Sequence, residues 1–350
     1  MATLKEIISE AKVNNDFIYR GCAYESYDLV PTLARKLGAG RLNQDISFGQ
    51  YDIYAAIVEN AAKREYREVN MNGNSNELSQ HYGIDTSYLD WSYSVYVALY
   101  FAFTSYLKKF VDENILNRPI DACKMHCLRD DFNKHKYCMY KLNKTLYDEL
   151  KNQYPKLPLI VYDTDHKNER MKSQQGLLSS IDTNNVAQGS KIQDSQIQII
   201  VDWLHSNNPS DSLEKKDNKY LWNNETFLEK ITYKLPQRDR NYLQKCLKEN
   251  GAISTKLFPD FEGVKKNIEF SEDYNILRDW EIAYQEASFH SNCISKEDLL
   301  KMANGDQNVI DSRLNTDQLK EGEFFLFRKV SSMATRVYSN GQIDLVKQKF

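Results

Sequence analysis

The chain has 350 residues, enough to bury a core without disulfide or metal staples, and its 46 Lys and Arg against 49 Asp and Glu leave a formal charge of -3. That balance excludes a whole-molecule field drawing the protein onto nucleic acid or a membrane, although a local basic groove stays compatible with it. Six cysteines over this length form no disulfide framework, and the N-terminal residues lack the apolar run of a secretion signal, so a reducing cytoplasm is the expected compartment.

Leu4, Ile7, Ile8 and Ala11 recur at helical spacing, and Phe17 to Gly21 reads as a short strand entering a turn. A second helix is expected from Tyr51 to Tyr66, with Ile53, Ala56, Ile57, Asn60 and Ala61 as its apolar stripe, ended by the loop Asn70 to Asn76. A short helix then leads to Gly83 and leaves His81 and Tyr82 at its last turn. Residues 95–103 are apolar all round, the pattern of a buried element, and are about half the roughly 20 residues a membrane helix needs. No membrane span is expected.

Beyond an irregular segment from Asp112 to Lys136, Tyr137 to Leu142 reads as a strand, and Asn143 caps a helix from Lys144 to Leu150. Strands are expected at Pro158–Asp163, Leu177–Ile181, Gln196–Trp203 and Phe227–Leu235, with a polar turn at Asn168–Gly176 and a polar loop at Ser206–Lys219. Pro236 opens a helix that buries Leu243, Cys246 and Leu247 and stops at Gly251. From Ser271 onward come a helix at Leu277–Ala287, another from Ser295 and a hairpin turning at Asn340-Gly341. The expectation is an α+β body over residues 1–270 and a C-terminal extension over 271–350, either a separate domain or a flap.

Several separated segments share one pattern: Tyr19-Arg20-Gly21; Tyr27-x-Leu29-x-Pro31-x-Leu33-x-Arg35; Gln80-His81-Tyr82-Gly83 with Thr86 and Leu89-Asp90-Trp91; Arg170-x-x-x-Gln174-Gln175-Gly176; and Leu257-Phe258-Pro259-Asp260. On these residues the chain resembles the FRG domain family, named for its aromatic-Arg-Gly signature. Asp85, Ser87 and Val95 depart from residues common in that family. The resemblance implies an ADP-ribosyltransferase-like mixed sheet with flanking helices. It also implies NAD as a consumed substrate, a macromolecular acceptor of nucleic acid or protein, and a toxin or phage-defence setting.

Cleavage of NAD at the nicotinamide–ribose bond passes through an oxocarbenium-like state, so such an enzyme holds the diphosphate, grips the carboxamide, stacks on the ring and stabilises ribose charge. Under the resemblance Tyr19, Arg20 and Gly21 open the pocket: Arg20 neutralises the diphosphate, and Gly21 brings its backbone to the carboxamide. Tyr82, Tyr88, Trp91 and Tyr100 are candidate stacking faces, Thr86 a short polar contact and His81 a general acid or base. Arg170, Gln174 and Gln175 form a second polar group toward phosphate or acceptor. Asp90 and Glu229 compete as the catalytic carboxylate.

Each has a structural alternative: Arg20 as a buried arginine paired with Asp90, Trp91 and Tyr100 as core, His81 as a helix cap, Gln174-Gln175 as a satisfied turn. Cys123, His126, Cys127, His135 and Cys138 have poor spacing for zinc, and no metal is expected. The 23 tyrosines suit base stacking but also fit compositional drift. The functional readings are an ADP-ribosyltransferase and a non-catalytic nucleotide- or nucleic-acid-binding module. The alternating stretch Glu323 to Val330 is a candidate edge for an antitoxin or chaperone strand.

Overall fold

The computed structural model describes residues 2–38, 46–68, 85–115, 120–121, 131–163, 169–209, 212–293, 323–326, 333–338 and 342–347. Gln80, His81, Tyr82 and Gly83 lie outside these residues, as do the loop Asn70–Asn76, the helix expected from Ser295 and the turn Asn340-Gly341. The chain forms two compact units, one of Met1–Phe103, Lys136–Lys234 and Arg238–Val264, the other of Thr104–His135, Leu235–Gln237 and Lys265–Phe350.

The first unit opens with helix α1 (Leu4–Val13), where Thr3 and Glu6 satisfy each other's backbone N–H groups as a reciprocal cap and Leu4, Ile7 and Ile8 are buried. Strand β1 (Phe17–Cys22), helices α2 (Thr32–Gly38) and α3 (Phe48–Glu68), strand β2 (Leu89–Ser92) and helix α4 (Val95–Phe110) follow. The α3 stripe read from the sequence faces outward, with Ile53 and Ile57 62% and 58% exposed, and Tyr51 is buried instead. Spacing fixes which residues share a helix face, not which face is inward. In α4, Val95, Val97, Ala98, Leu99, Tyr100, Ala102 and Phe103 are all buried, as its apolar run requires.

After strand β3 (Ile120–Asp121), the chain continues through β4 (Tyr137–Asn143), α5 (Lys144–Gln153), β5 (Leu159–Asp163), α6 (Glu169–Ser173) and β6 (Gly176–Ile181). The Asn143 side chain caps α5 by accepting from Leu146 N–H. The expected polar turn before β6 contains the single helical turn α6. Gln196 to Trp203, expected as a strand, is the start of helix α7 (Gln196–Asn207). Ser195 caps it, and Ile197, Ile200, Trp203 and Leu204 bury one helical face; the β-branched run imitates a strand, but the burial period is helical.

The expected polar loop hides strand β7 (Glu214–Lys216), which leads into β8 (Lys219–Trp222) and β9 (Glu225–Tyr233). Asp217 and then Asn223 and Asn224 take positive φ in the two tight turns, conformations that Asn and Asp tolerate. Helices α8 (Gln237–Glu249), α9 (Ser254–Leu257) and α10 (Phe261–Cys293) follow, with Gly251 at φ 71° just beyond α8. Residue 271 lies inside α10.

The first unit's sheet has the order β5-β6-β2-β1-β4-β9-β8-β7, and every neighbouring pair is antiparallel. The fold is therefore α+β, with an antiparallel rather than a mixed sheet. One core lies where α5 and α7 cover Ile18, Leu89, Trp91, Cys138 and Leu142, and a smaller one joins Val30, Leu33, Ala34, Ile46, Tyr51 and Ile192. In the second unit, β10 (Glu323–Leu326), β11 (Met333–Tyr338) and β12 (Gln342–Lys347) form antiparallel pairs, and β12 also pairs with β3. β10 is thus an edge among the described residues. No helix among them is long and apolar enough to cross a membrane.

Candidate functional site

Register places the site on one face of the sheet. Arg20 of β1 stands opposite Tyr140 of β4, and Tyr140 stands opposite Lys230 of β9. Directly opposed residues share a face, so Arg20, Tyr140 and Lys230 form a row across three strands. Cys22, Cys138 and Thr232 form the next row on that face. The chain leaving β1 turns back over it: the Tyr140 hydroxyl reaches the Tyr27 carbonyl at 2.9 Å and Asp28 Oδ1 at 2.7 Å, while Lys230 Nζ donates to the Tyr27 carbonyl at 3.2 Å.

Lys230 Nζ also sits 5.3 Å from the Tyr140 ring centre, and the Arg35 guanidinium lies 6.0 Å from that of Tyr27. The Tyr27 ring is 43% exposed and tilts against Tyr24 at 5.0 Å. Burial and the Asp28 hydrogen bond push the Tyr140 phenol well above its ordinary range. Arg20 Nη1 donates to the Asp90 carbonyl at 2.7 Å and lies 3.9 Å from Asp90 Oδ2, while Arg20 Nε is buried with no hydrogen-bond partner among the described residues. The expected Arg20–Asp90 pairing is present, and the Asp90 side chain remains 47% exposed.

Arg20, Lys230 and Arg35 all act on the Cys22 thiol, whose pKa falls to about 7, chiefly through its hydrogen bond with Cys138 and then through these cations. Three cations thus converge on this face, with Asp28 and Asp90 as the neighbouring carboxylates. Beside it, Lys36 of α2 pairs with Asp85, and the Leu33 N–H donates to the Thr86 carbonyl at 3.3 Å. A shallow surface depression lies there, lined by Leu33, Ala55, Val58, Glu59, Asp85, Thr86, Ser87 and Tyr88. Thr86 is buried and Tyr88 meets Tyr162 edge-on at 5.9 Å, with burial raising the Tyr88 phenol to about 12.

Other sequence-predicted residues are placed elsewhere. Gly21 faces α4: a Cβ there would stand 1.8 Å from the Ala98 carbonyl oxygen and 3.1 Å from Ala102 Cβ. Its bare backbone admits the helix, and the space expected for a carboxamide is filled by α4. Tyr19 shares that face and is buried. Trp91 is 4% exposed and donates from Nε1 to Ser179 Oγ at 2.8 Å; Ser179 in turn donates to Gln196 Oε1 at 2.7 Å. The indole ties β2 to β6 and α7 and offers no stacking face. Tyr100, bonded to Ser254 Oγ at 2.6 Å, is also core.

Arg170 is buried, donates from Nε to Asp260 Oδ2 at 2.7 Å and lies 5.5 Å from the Phe258 ring centre. Gln174 Nε2 donates to the Leu257 carbonyl at 3.1 Å, and the Gln174 carbonyl accepts from Ser92 Oγ at 2.6 Å. Gln175 takes φ 48° and accepts from Tyr93 N–H at 3.0 Å. Arg170, Gln174 and Gln175 therefore latch two sequence segments together beside Phe101 of α4, the helix that Gly21 faces, and are not brought to Arg20.

Glu229 stands opposite Lys141, the neighbour of Tyr140, and therefore lies on the face away from Arg20. There it pairs with Lys219 at 3.3 Å and Lys141 at 3.9 Å. Arg20 and Glu229 do not share a site. Of the unfavoured zinc set, Cys138 belongs to β4, His135 stacks on Tyr106 at 3.5 Å, and Cys123, His126 and Cys127 fall outside the described residues.

Tyr140, Lys230 and Asp28 were not singled out from sequence. For Tyr140 and Lys230 the signal is the strand register, since the β1-β4-β9 order puts them in one row with Arg20, and Asp28 joins them through the Tyr140 hydroxyl. Residues 15–110 match the family described as the FRG domain. The segments at Arg170–Gly176 and Leu257–Asp260 lie beyond that match. No curated protein and no solved structure matches the chain.

Proposed function

We propose, from the premise that the chain belongs to the FRG domain family through residues 15–110, that the Arg20 face binds the diphosphate of an NAD-class nucleotide and that the protein is an ADP-ribosyltransferase. The convergence of Arg20, Arg35 and Lys230 on one face, beside the exposed Tyr27 ring, carries this reading. Guanidinium groups pair with phosphate oxygens through two N–H donors at once, and a tyrosine ring stacks on a base. NAD is then a consumed substrate, and the acceptor is a macromolecule, RNA, DNA or protein. Asp90, the carboxylate beside Arg20, stabilises positive charge on the ribose in the oxocarbenium-like state. The ADP-ribosyltransferase-like fold, the toxin or defence setting and the cytoplasmic location belong to the same proposal. An antitoxin or chaperone strand would add to the β10 edge.

A second reading, recognition of a nucleotide or nucleic acid without turnover, is favoured by the placement of Glu229 on the opposite face and the engagement of Asp90 by Arg20. The deciding experiment titrates NAD, inorganic pyrophosphate, RNA and DNA into the wild-type protein and Arg20→Ala, and incubates both with labelled NAD, total RNA, DNA and lysate. Binding and label transfer that both disappear in a folded Arg20→Ala protein support the transferase. Binding without transfer or nicotinamide release supports the second reading. A folded wild-type protein that binds none of NAD, pyrophosphate, RNA and DNA refutes both.

A further inference from the structure

β1 and β4 hold Cys22 and Cys138 directly opposite one another. Opposed Cα atoms of an antiparallel ladder lie about 4.5–5.5 Å apart with their side chains on one face, inside the roughly 4.4–6.8 Å window that a disulfide bridges. Both cysteines are free and buried, with Cys22 retaining 6% of its surface and Cys138 none. Cys138 Sγ lies 3.4 Å from the Tyr24 carbonyl. Arg20, Lys230 and Arg35 act on Cys22, while Lys230 and Asp28 act in opposite senses on Cys138, and cations favour the thiolate that is the reactive form of cysteine. The nucleotide reading leaves both sulfur atoms without a task.

We infer that Cys22 and Cys138 form a hydroperoxide-reactive dithiol in the row next to Arg20 on the same face, with Cys22 as the attacking thiol and Cys138 as the resolving one. The Cys22 thiolate attacks one peroxide oxygen and the O–O bond breaks. The departing oxygen keeps the bonding electron pair, takes up a proton and leaves as water or an alcohol, so that Cys22 becomes a sulfenic acid. Cys138 sulfur then attacks Cys22 sulfur; the S–S bond forms, the S–O bond breaks, and the expelled hydroxide takes the Cys138 proton to become water. Two thiols have together lost two electrons, and the peroxide has gained them.

The order of roles follows from the surroundings. Cys22 retains 6% of its surface and has Arg20, Lys230 and Arg35 favouring its thiolate, whereas Cys138 is fully buried and is raised by the Cys22 contact and burial. The disulfide staples β1 to β4 and removes a negative charge from beside the cations. Its formation does not depend on the nucleotide reading.

The test exposes the full chain to stoichiometric hydrogen peroxide at neutral pH, blocks remaining thiols with a maleimide in denaturant, and maps peptides without reduction. The expected result is a Cys22–Cys138 peptide and a chain lighter by two hydrogen atoms. Cys22 should lose alkylation at least about tenfold faster than Cys246, which lies on helix α8 outside the β1–β4 ladder. Cys138→Ser should stop at a Cys22 sulfenic acid that dimedone captures, and Cys22→Ser should leave Cys138 unreactive. The inference is overturned if both thiols remain fully alkylatable after peroxide treatment, if Cys22 joins a different cysteine, or if the bond forms only in unfolded protein.

Discussion

Replacing Gly21 with alanine separates a packing role for this glycine from a ligand-binding role. The new Cβ would lie 1.8 Å from the Ala98 oxygen and 2.6 Å from the Ala98 carbonyl carbon, both backbone atoms of α4. Reaching 3.0 Å from that oxygen, below which real Cβ atoms are essentially never found, demands a separation of 3.0 minus 1.8, or about 1.2 Å, between β1 and α4. No rotamer change relieves a backbone clash, and a gap of about 0.5–1 Å already forfeits a quarter to a half of each dispersion contact along the helix. The expected loss is at or above the upper end of the usual overpacking range, about 3 kcal/mol. For a unit of this size that corresponds to a fall of roughly 6–12 °C in melting temperature.

Thermal and urea unfolding of the full chain, followed by circular dichroism, measures the effect. Gly49→Ala is the control: the Cβ built at Gly49 meets only Ser47 Oγ at 4.0 Å, and a Gly-to-Ala change in a helix stabilises by about 0.4–1 kcal/mol. The packing argument fails if Gly21→Ala melts with the wild type or shifts no more than Gly49→Ala. A variant that keeps its melting temperature yet loses NAD binding would return Gly21 to the carboxamide role that the family resemblance implies.

Ser179→Ala leaves the buried Trp91 Nε1–H and Gln196 Oε1 without their shared partner, and should cost about 2–4 kcal/mol in urea unfolding; a loss below about 0.5 kcal/mol would contradict the network. Asp260→Ala removes the carboxylate that meets the buried Arg170 guanidinium and should cost about 1–3 kcal/mol, less than a fully buried pair because Asp260 is 40% exposed. Arg170→Met in the same chain should recover part of that loss, and strict additivity would refute the coupling. Glu229→Gln should leave NAD binding and turnover unchanged, because Glu229 is on the face away from Arg20; lost turnover with an unchanged melting temperature would overturn that separation.

Asp273 supplies the pH test. Burial raises its carboxyl to about 6, against the attraction of Lys108 and with added repulsion from Asp112, Glu272 and Glu269. A carboxyl raised on folding contributes stability below its unfolded pKa and loses it as pH rises through the folded one. Asp273→Asn should therefore melt higher than wild type at pH 7.5, with the advantage shrinking as pH falls from about 6 toward 4. An advantage independent of pH would refute the assignment.

The sequence made legible those elements whose local signals agree. Leu4, Ile7 and Ile8 recur at helical spacing in α1, Asn143 caps α5, and the all-apolar run of α4 leaves it only an interior position. Legibility ended where local pattern and tertiary placement part. Gln196-Ile197-Gln198-Ile199 alternates like a strand, yet Ser195 and the burial of Ile197, Ile200 and Leu204 make it a helix. The α3 stripe has helical spacing and faces outward. β7 was hidden because Glu214–Lys216 are charged and exposed and its turn into β8 depends on Asp217 at positive φ, without the glycine that usually marks such turns. At the site, Arg20 and Asp90 could be paired from the sequence, but Lys230 could not, since its position depends on β9 pairing with β4.

The same alternation divides the aromatic-Arg-Gly signature itself. Arg20 shares the face of Tyr140, while Tyr19 and Gly21, one residue to either side, point to the opposite face, where Gly21 admits α4. Adjacent residues thus meet two requirements: Gly21 fixes how closely the helix approaches the strand, and Arg20 presents a cation on the other side. A helix held closer or farther at Gly21 would displace β1 and carry Arg20 with it, so the motif couples core packing to the position of the guanidinium. Arg170 and Gln174 join the core side of that division, through Asp260 and the Leu257 carbonyl, and support the α4 side rather than form a second wall around Arg20. A ligand at Arg20 would instead be bounded by residues that register and the returning Tyr24–Asp28 segment bring there: Tyr27, Arg35, Tyr140 and Lys230.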